Sequence, residues 1–240
     1  MYALIYGSLI IIIPGILFAL YAEFRVKSTF KKYSQAETEA KATSEQVAYK
    51  LLSQNNCYSV MVSRTPGELT DNYNPTTHVL SLSDSTYGKS TVAAVGVASH
   101  ECGHAAQHSE DSRLIAMRTA LVPITNYGST FAVPVAIVGL ILELLIGGVG
   151  VNLGTYVLAL GVLLYSLSTI FALITIPVEI DASRRAVIML RDTGLYTKEE
   201  LASIRKVLYA AALTYVASLL VSFLYLVRFI ILLSKFRDRD

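Results

Sequence analysis

Four long stretches of this 240-residue chain carry no charged side chain, and they constrain its fold more than any other feature. They cover residues 1–22, 119–142, 144–178 and 207–227, the third interrupted early by "GGVGVNLG". Crossing a bilayer takes about 20 apolar residues. The pattern predicts spans near 3–22, 128–146, 153–177 and 209–231. Charged residues make up 16% of the chain, mean hydropathy is +0.51, and a soluble domain carries about 25% charge. The expected fold class is a mainly α integral membrane protein with about four transmembrane helices and a small α+β portion outside the membrane. The first run has no basic residue before it and no small-residue cleavage site, and the basic stretch "FRVKSTFKK" follows it. That order predicts a retained anchor rather than a signal peptide.

The polar residues divide the chain further. The expected organisation is an anchor at 1–23, a catalytic portion at 24–127, a helical hairpin at 128–178, a helix at 179–206, and a last span with its tail at 207–240. Residues 24–127 hold ten Lys/Arg and nine Asp/Glu, and residues 178–207 hold six Lys/Arg. The short link between spans two and three holds none. Lysine and arginine beside membrane ends favour the cytoplasmic side, so both polar segments are expected there. The tail "SKFRDRD", with three basic residues, falls on the opposite side under four spans. Either the rule is broken there or the last run lies at the interface. A net charge of +2, with acids and bases interleaved, excludes a nucleic-acid partner. Cys57 and Cys102 form neither a CxxC pair nor a disulfide framework.

Within the polar segment, "SQAETEAKATSEQVAYKLLSQNN" reads as an amphipathic helix with Val47, Leu51 and Leu52 at helical spacing and a stop at Asn55/Asn56. "PGELTDNYNPTT" reads as turns. "HVLSLS" alternates like a short strand, whose edge is expected to pair with an extended peptide. "KSTVAAVGVASHECGHAAQHSED" reads as a helix, apolar first and polar later.

That helix carries three of the four histidines, at 100, 104 and 108. His100 and His104, four residues apart, share a helix face one turn apart. Two imidazoles so placed can hold one metal ion at about 2.0–2.1 Å. Glu101, next round from His100, can face the same water without ligating, as a general base must. The pattern is H-E-x-x-H, a two-histidine zinc signature with its glutamate base, and its apolar helical start is the required context. Cys102 reads as a small apolar filler, and Gly103 leaves little bulk beside the metal. His108 lies about 12 Å along the axis from His100, too far for the same ion. It is an accessory candidate or a surface histidine.

A catalytic zinc keeps three protein ligands and one open position. Two spans separate the motif from "IPVEIDASRRAVIML", so parity returns residues 176–190 to the motif's side of the membrane. Glu179 is the first choice, with Asp181, Asp111 and His78 as alternatives. Glu143, near the far end of span two, is on the wrong level. If the helix continues through Pro177, Glu179 and Ser183 share a face and Asp181 points elsewhere. Candidates for stabilising charge on a substrate oxygen are His78, Tyr73, Arg184 and Arg185, the arginines also serving as membrane-end anchors. A non-catalytic protein with a structural or sensory zinc site is the alternative class. It requires a fourth protein ligand, from His78 or Cys57. Only Glu143 and Arg228 are charged within the spans, too few for an ion pathway.

The blocks "LTDNYNPTTHVLSLSDSTYGKSTVAAVGVASHECGHAAQH" and "PVEIDASRRA", with the hydrophobic layout, resemble the YugP-type neutral zinc metallopeptidases of bacterial membranes. The resemblance covers nearly the whole chain and is most specific over 69–108 and 177–186. It implies a multi-pass plasma-membrane peptidase with one zinc ion, His100 and His104 as ligands, Glu101 as catalyst, Glu179 as third ligand, and a protein or peptide substrate near the membrane surface. The catalytic portion would be zincin-like, of the glutamate-ligand kind. A more distant likeness is to HtpX-like membrane proteases, which follow the motif with an E-x-x-A-D helix. Here Ser183 stands at the last acidic position.

Overall fold

The structure, a computed structural model, describes residues 7–110, 112–146 and 152–237. Asp111 and the link around 147–151 lie outside the described residues, as do the first residues of the expected first span. A short 3₁₀ turn at Ser8–Ile12 leads into helix α1 (Ile13–Tyr33). Then follow α2 (Ser44–Gln54), β1 (Met61–Thr65), β2 (Asn72–Asn74), β3 (Val79–Ser83) and α3 (Val92–Ser109). Three long helices complete the chain: α4 (Arg113–Ile146), α5 (Leu153–Asp192) and α6 (Lys198–Arg237).

Among the described residues, four helical segments are long and apolar enough to cross a membrane: Ser8–Tyr33, Arg113–Leu145, Leu153–Asp192 and Lys198–Lys235. They begin earlier or run further than the uncharged stretches, because a helix does not stop where polarity begins. Pro123 and Pro134 lie inside α4, and α5 continues through Pro177.

The chain divides into two compact units. One comprises residues 1–21, 117–175 and 215–240. Its α4 and α5 segments pack closely: a Cβ at Gly139 would lie 2.7 Å from the Leu158 Cα. Only a glycine admits that backbone approach. Glu143 is buried and accepts a 2.9 Å hydrogen bond from the Thr155 hydroxyl, which satisfies part of its polarity. Large apolar side chains such as Leu17, Leu145, Leu163 and Phe223 remain exposed, a surface suited to lipid rather than water.

The other unit comprises Ala22–Ala116 and Ile176–Thr214. Its sheet has the order β1-β3-β2. β1 runs parallel to β3, with Met61 opposite Val79 and Thr65 opposite Ser83. β2 runs antiparallel to β3, with Asn72 opposite Ser81 and Asn74 opposite Val79. The strand read from "HVLSLS" is thus present from Val79, and its alternation puts Leu80 and Leu82 in the core. The edge expected of it is not available, because β3 is the central strand and both its sides are paired. β2 was hidden in a segment that reads as turns: three residues are too short for a period-2 signal.

The amphipathic helix predicted from residue 34 starts only at Ser44. The Thr43 amide donates to Gln46 Oε1 at 3.0 Å, the side-chain-to-backbone half of a capping box, which fixes the start there, and Lys41 adopts a positive φ of 48°. Its expected stop holds: Asn55 caps the end and Asn56 follows at φ 60°. Helix α3 is capped by the Thr91 hydroxyl, which accepts from the Ala94 amide at 3.3 Å. It is buried on nearly every side, from Val92 to Gln107, as expected for a helix that forms the middle of a core. Leu51, Leu80, Leu82, Val95, Leu190 and Ile204 join α2, the sheet, α3, α5 and α6 in one apolar cluster. Each such side chain contributes about 1.5–3 kcal/mol on burial.

Candidate metal centre

His100 and His104 project from the buried middle of α3 with ring centroids 4.7 Å apart and planes 81° from parallel. Glu179 projects from α5, just past Pro177, and is 2% exposed. One of its oxygens, Oε2, lies 3.1 Å from His100 Nε2 and 3.3 Å from His104 Nε2. One ligand atom from each residue falls within 4.8 Å of the others, the only such trio among the described residues. Two atoms bound at about 2.0–2.1 Å to one tetrahedral ion lie roughly 3.3 Å apart. The observed spacings match that edge, so these residues fit a zinc ion.

The other ring nitrogens are held in place. Gln107, fully buried, donates from its amide nitrogen to the Val178 carbonyl at 2.9 Å and to Asp181 Oδ2 at 2.8 Å. Its carbonyl oxygen, 3.1 Å from His104 Nδ1, must therefore accept. The network assigns the His104 proton to Nδ1 and leaves the Nε2 lone pair toward Glu179. Ser183 Oγ lies 3.1 Å from His100 Nδ1 and steadies the second ring, its hydroxyl able to donate or accept there. Such partners set ligand orientation and basicity. Ser183, which reads as a missing acid in sequence, is thus a histidine partner through its hydroxyl. Arg185 closes the outer side, donating to Asp181 and to Glu110, both at 2.7 Å.

The two helices meet closely at this level. A Cβ on Gly103 would lie 3.0 Å from the Ala182 carbonyl carbon and 3.1 Å from its Cα, with the carbonyl oxygen closer still. The small residue in the motif thus admits the backbone of α5. Cys102 lies 1% exposed in the apolar core, its thiol directed at the Ala48 carbonyl. Burial, reinforced by Glu101 nearby, pushes its pKa well above the ordinary thiol value, which suits a filler and not a reactive thiolate.

Burial alone would raise the Glu179 pKa. When both ring nitrogens carry a proton, His100 and His104 donate to the carboxylate and their charge outweighs burial, holding the carboxyl below the usual carboxylate range. Glu101, 8% exposed, is pushed up by burial, against the lowering influence of His100 and His104 and with Glu179 and Asp71 adding to the rise.

The remaining candidates lie elsewhere. His78, at φ 52°, and Tyr73 set their rings at 5.8 and 6.2 Å from that of His108, forming an edge-on aromatic cluster. Asp181 faces Gln107 and Arg185, and Arg184 lines an apolar groove with Ile180 and Val187. Cys57 is buried beside the Ser109 hydroxyl. Gln107 was not singled out in the sequence, although it stands three residues after His104 and hence on the same helix face.

Residues 8–234 match the model of a family described as "Putative neutral zinc metallopeptidase". A protein of Bacillus subtilis (strain 168) named "Putative membrane protease YugP" is 39% identical over 223 residues, which cover 92% of this chain and 94% of that protein. No solved structure matches the chain. With a match over almost its full length and a metal-competent trio shared between the motif helix and α5, the chain belongs to the neutral zinc metallopeptidase family.

Proposed function

We propose that this protein is a membrane-bound peptidase that hydrolyses peptide bonds with one zinc ion held by His100, His104 and Glu179. The observation that carries the reading is the convergence of two histidine Nε2 atoms on one Glu179 oxygen, with each Nδ1 anchored by another side chain. Zinc supplies a Lewis acid that brings the pKa of water to about 7 and polarises a carbonyl. Glu101, adjacent to His100 on the same buried helix, takes the proton from the attacking water and delivers it to the leaving amine. Gln107 keeps His104 in the ligating tautomer, and Ser183 keeps the His100 ring in orientation. The group of three leaves room for an open position, as a catalytic site requires. A closed structural site is disfavoured because Cys57 and His78 have other neighbours, Ser109 and His108.

The substrate is a protein or peptide at the membrane surface, since the site lies only two residues past the last residue of the third expected span. The excess of Lys and Arg in both polar segments supports a multi-pass protein of the bacterial plasma membrane with this unit on the cytoplasmic side. Elemental analysis of the detergent-purified protein tests the ligand set. The expected result is about one zinc per wild-type chain and a clear loss in Glu179→Ala. Zinc retained in that variant overturns the assignment. Glu101→Gln is expected to keep zinc and lose hydrolysis of an unfolded protein substrate, and sustained turnover would remove Glu101 from its role.

A further inference from the structure

A groove of about 570 Å³ lies between α1 and α6 within the unit that carries the metal centre. Four cations line it: Arg25 and Lys32 from α1, Arg205 and Lys206 from α6. No acidic side chain does. Among the described residues none of the four makes an ion pair, whereas Lys27 on the same α1 segment is paired with Glu23. Gathering four like charges around one concavity costs Coulomb energy unless an anion enters it.

The position along the chain identifies the anion's source. Arg25 follows the uncharged run 1–22 by three residues, about 5 Å along a helix, and Lys206 immediately precedes the run 207–227. Both sites fall within the roughly 5–8 Å headgroup layer that flanks the hydrocarbon core. Arg205 and Tyr209 also line a second groove of about 500 Å³, whose other walls include Ile180, Val187 and Leu208 together with the cations Arg184 and Arg191. A ligand with an anionic head and an apolar tail matches this combination of cations and apolar wall, whereas inorganic phosphate uses the cations alone.

We propose that the cationic groove binds the phosphate of an anionic phospholipid. Arg25, Arg205 and Lys206 neutralise the phosphate, Lys32, about 15 Å past the run along α1, adds attraction from beyond the headgroup layer, and the Tyr209 ring, polar at one end and apolar at the other, sits at the glycerol level. Surface cations that serve only as general anchors need no shared concavity.

The test is native mass spectrometry of the full-length protein in detergent, supplied with phosphatidylglycerol or phosphatidylcholine. The expected result is selective retention of phosphatidylglycerol. In the double variant Arg205→Gln, Lys206→Gln that retention falls roughly thirty-fold, the effect of two cations at an anionic membrane surface. The double variant Arg25→Gln, Lys32→Gln on the facing wall loses it likewise, which guards against misfolding of either one. Lys50→Gln with Lys89→Gln removes the same charge at exposed sites away from the groove and leaves retention unchanged. Equal retention of both lipids, equal losses in all three variants, or displacement by inorganic phosphate would each overturn the proposal.

Discussion

Replacing Gly103 by alanine probes the contact on which the metal centre depends. The added methyl would lie 3.0 and 3.1 Å from backbone carbons of Ala182, with the Ala182 oxygen nearer. Carbon atoms rest at about 3.5–4.0 Å. The α3 and α5 backbones must therefore part by at least roughly half an ångström, and there is no flexible side chain to yield instead. Such overpacking costs about 1–3 kcal/mol, partly offset by the higher helix propensity of alanine, about 1 kcal/mol. Ala182 is one turn from Glu179, so the displacement reaches the carboxylate. Its present spacings of 3.1 and 3.3 Å to the two Nε2 atoms would open, beyond the roughly 0.2 Å tolerance of a metal site. Competition against a chromophoric chelator should show zinc affinity lower by at least ten-fold, with a modest fall in apparent Tm. Gly96→Ala on the same helix is the matched control. Its Cβ would meet the Ile204 side chain, nearest at Cγ2, 3.3 Å, rather than a backbone. Zinc affinity in Gly103→Ala equal to that of the wild type and of the control would refute the reasoning.

Three further outcomes follow from the same geometry. Gln107→Ala removes the acceptor for His104 Nδ1 and should weaken zinc binding by about 10- to 100-fold, a loss typical of such ligand partners; unchanged affinity would show that His104 orients itself. Tyr196 is buried, its hydroxyl lacks a hydrogen-bond partner among the described residues, and burial, with Glu200 nearby, pushes its pKa up to about 12 from 10.0. Because the folded state holds this proton more tightly than the unfolded state, its contribution is complete below pH 10 and is lost as pH rises toward 12. Tyr196→Phe should flatten that alkaline loss and cost little at neutral pH, and melting curves at the two pH values decide it. Leu190→Ala, at a fully buried position of the cluster joining α5 to α3, should destabilise by about 2–5 kcal/mol without changing the ligands; a smaller loss by denaturant titration would mean that the core there is loosely packed.

The histidine helix and its partner were legible in the sequence for different reasons. His100, Glu101 and His104 show through local spacing on one helix. Glu179 shows through topology, because only an even number of crossings returns a segment to the same side. What escaped depended on long-range contacts. Gln107 looks like any polar helix residue until Val178 and Asp181 are placed against its amide. β2 is too short to announce itself, and the rank of β3 within its sheet cannot be read from its own alternation. Residues 34–43 share the composition of the helix that follows, and only the Thr43–Gln46 cap divides them. The role of Gly103 was read as room for metal, whereas the structure shows it as room for the backbone of α5.

The separation of the ligands along the chain has a consequence in time. His100 and Glu179 stand 79 positions apart, with α4 and most of α5 between them. At a synthesis rate of about 5–20 residues per second, roughly 4–16 s pass between their emergence from the ribosome. Throughout that interval the nascent chain carries the histidine pair and Glu101 without the third proposed ligand. The order of synthesis thus keeps the centre incomplete while its own apolar segments are exposed, and completes it only as the second of two long apolar helices is finished.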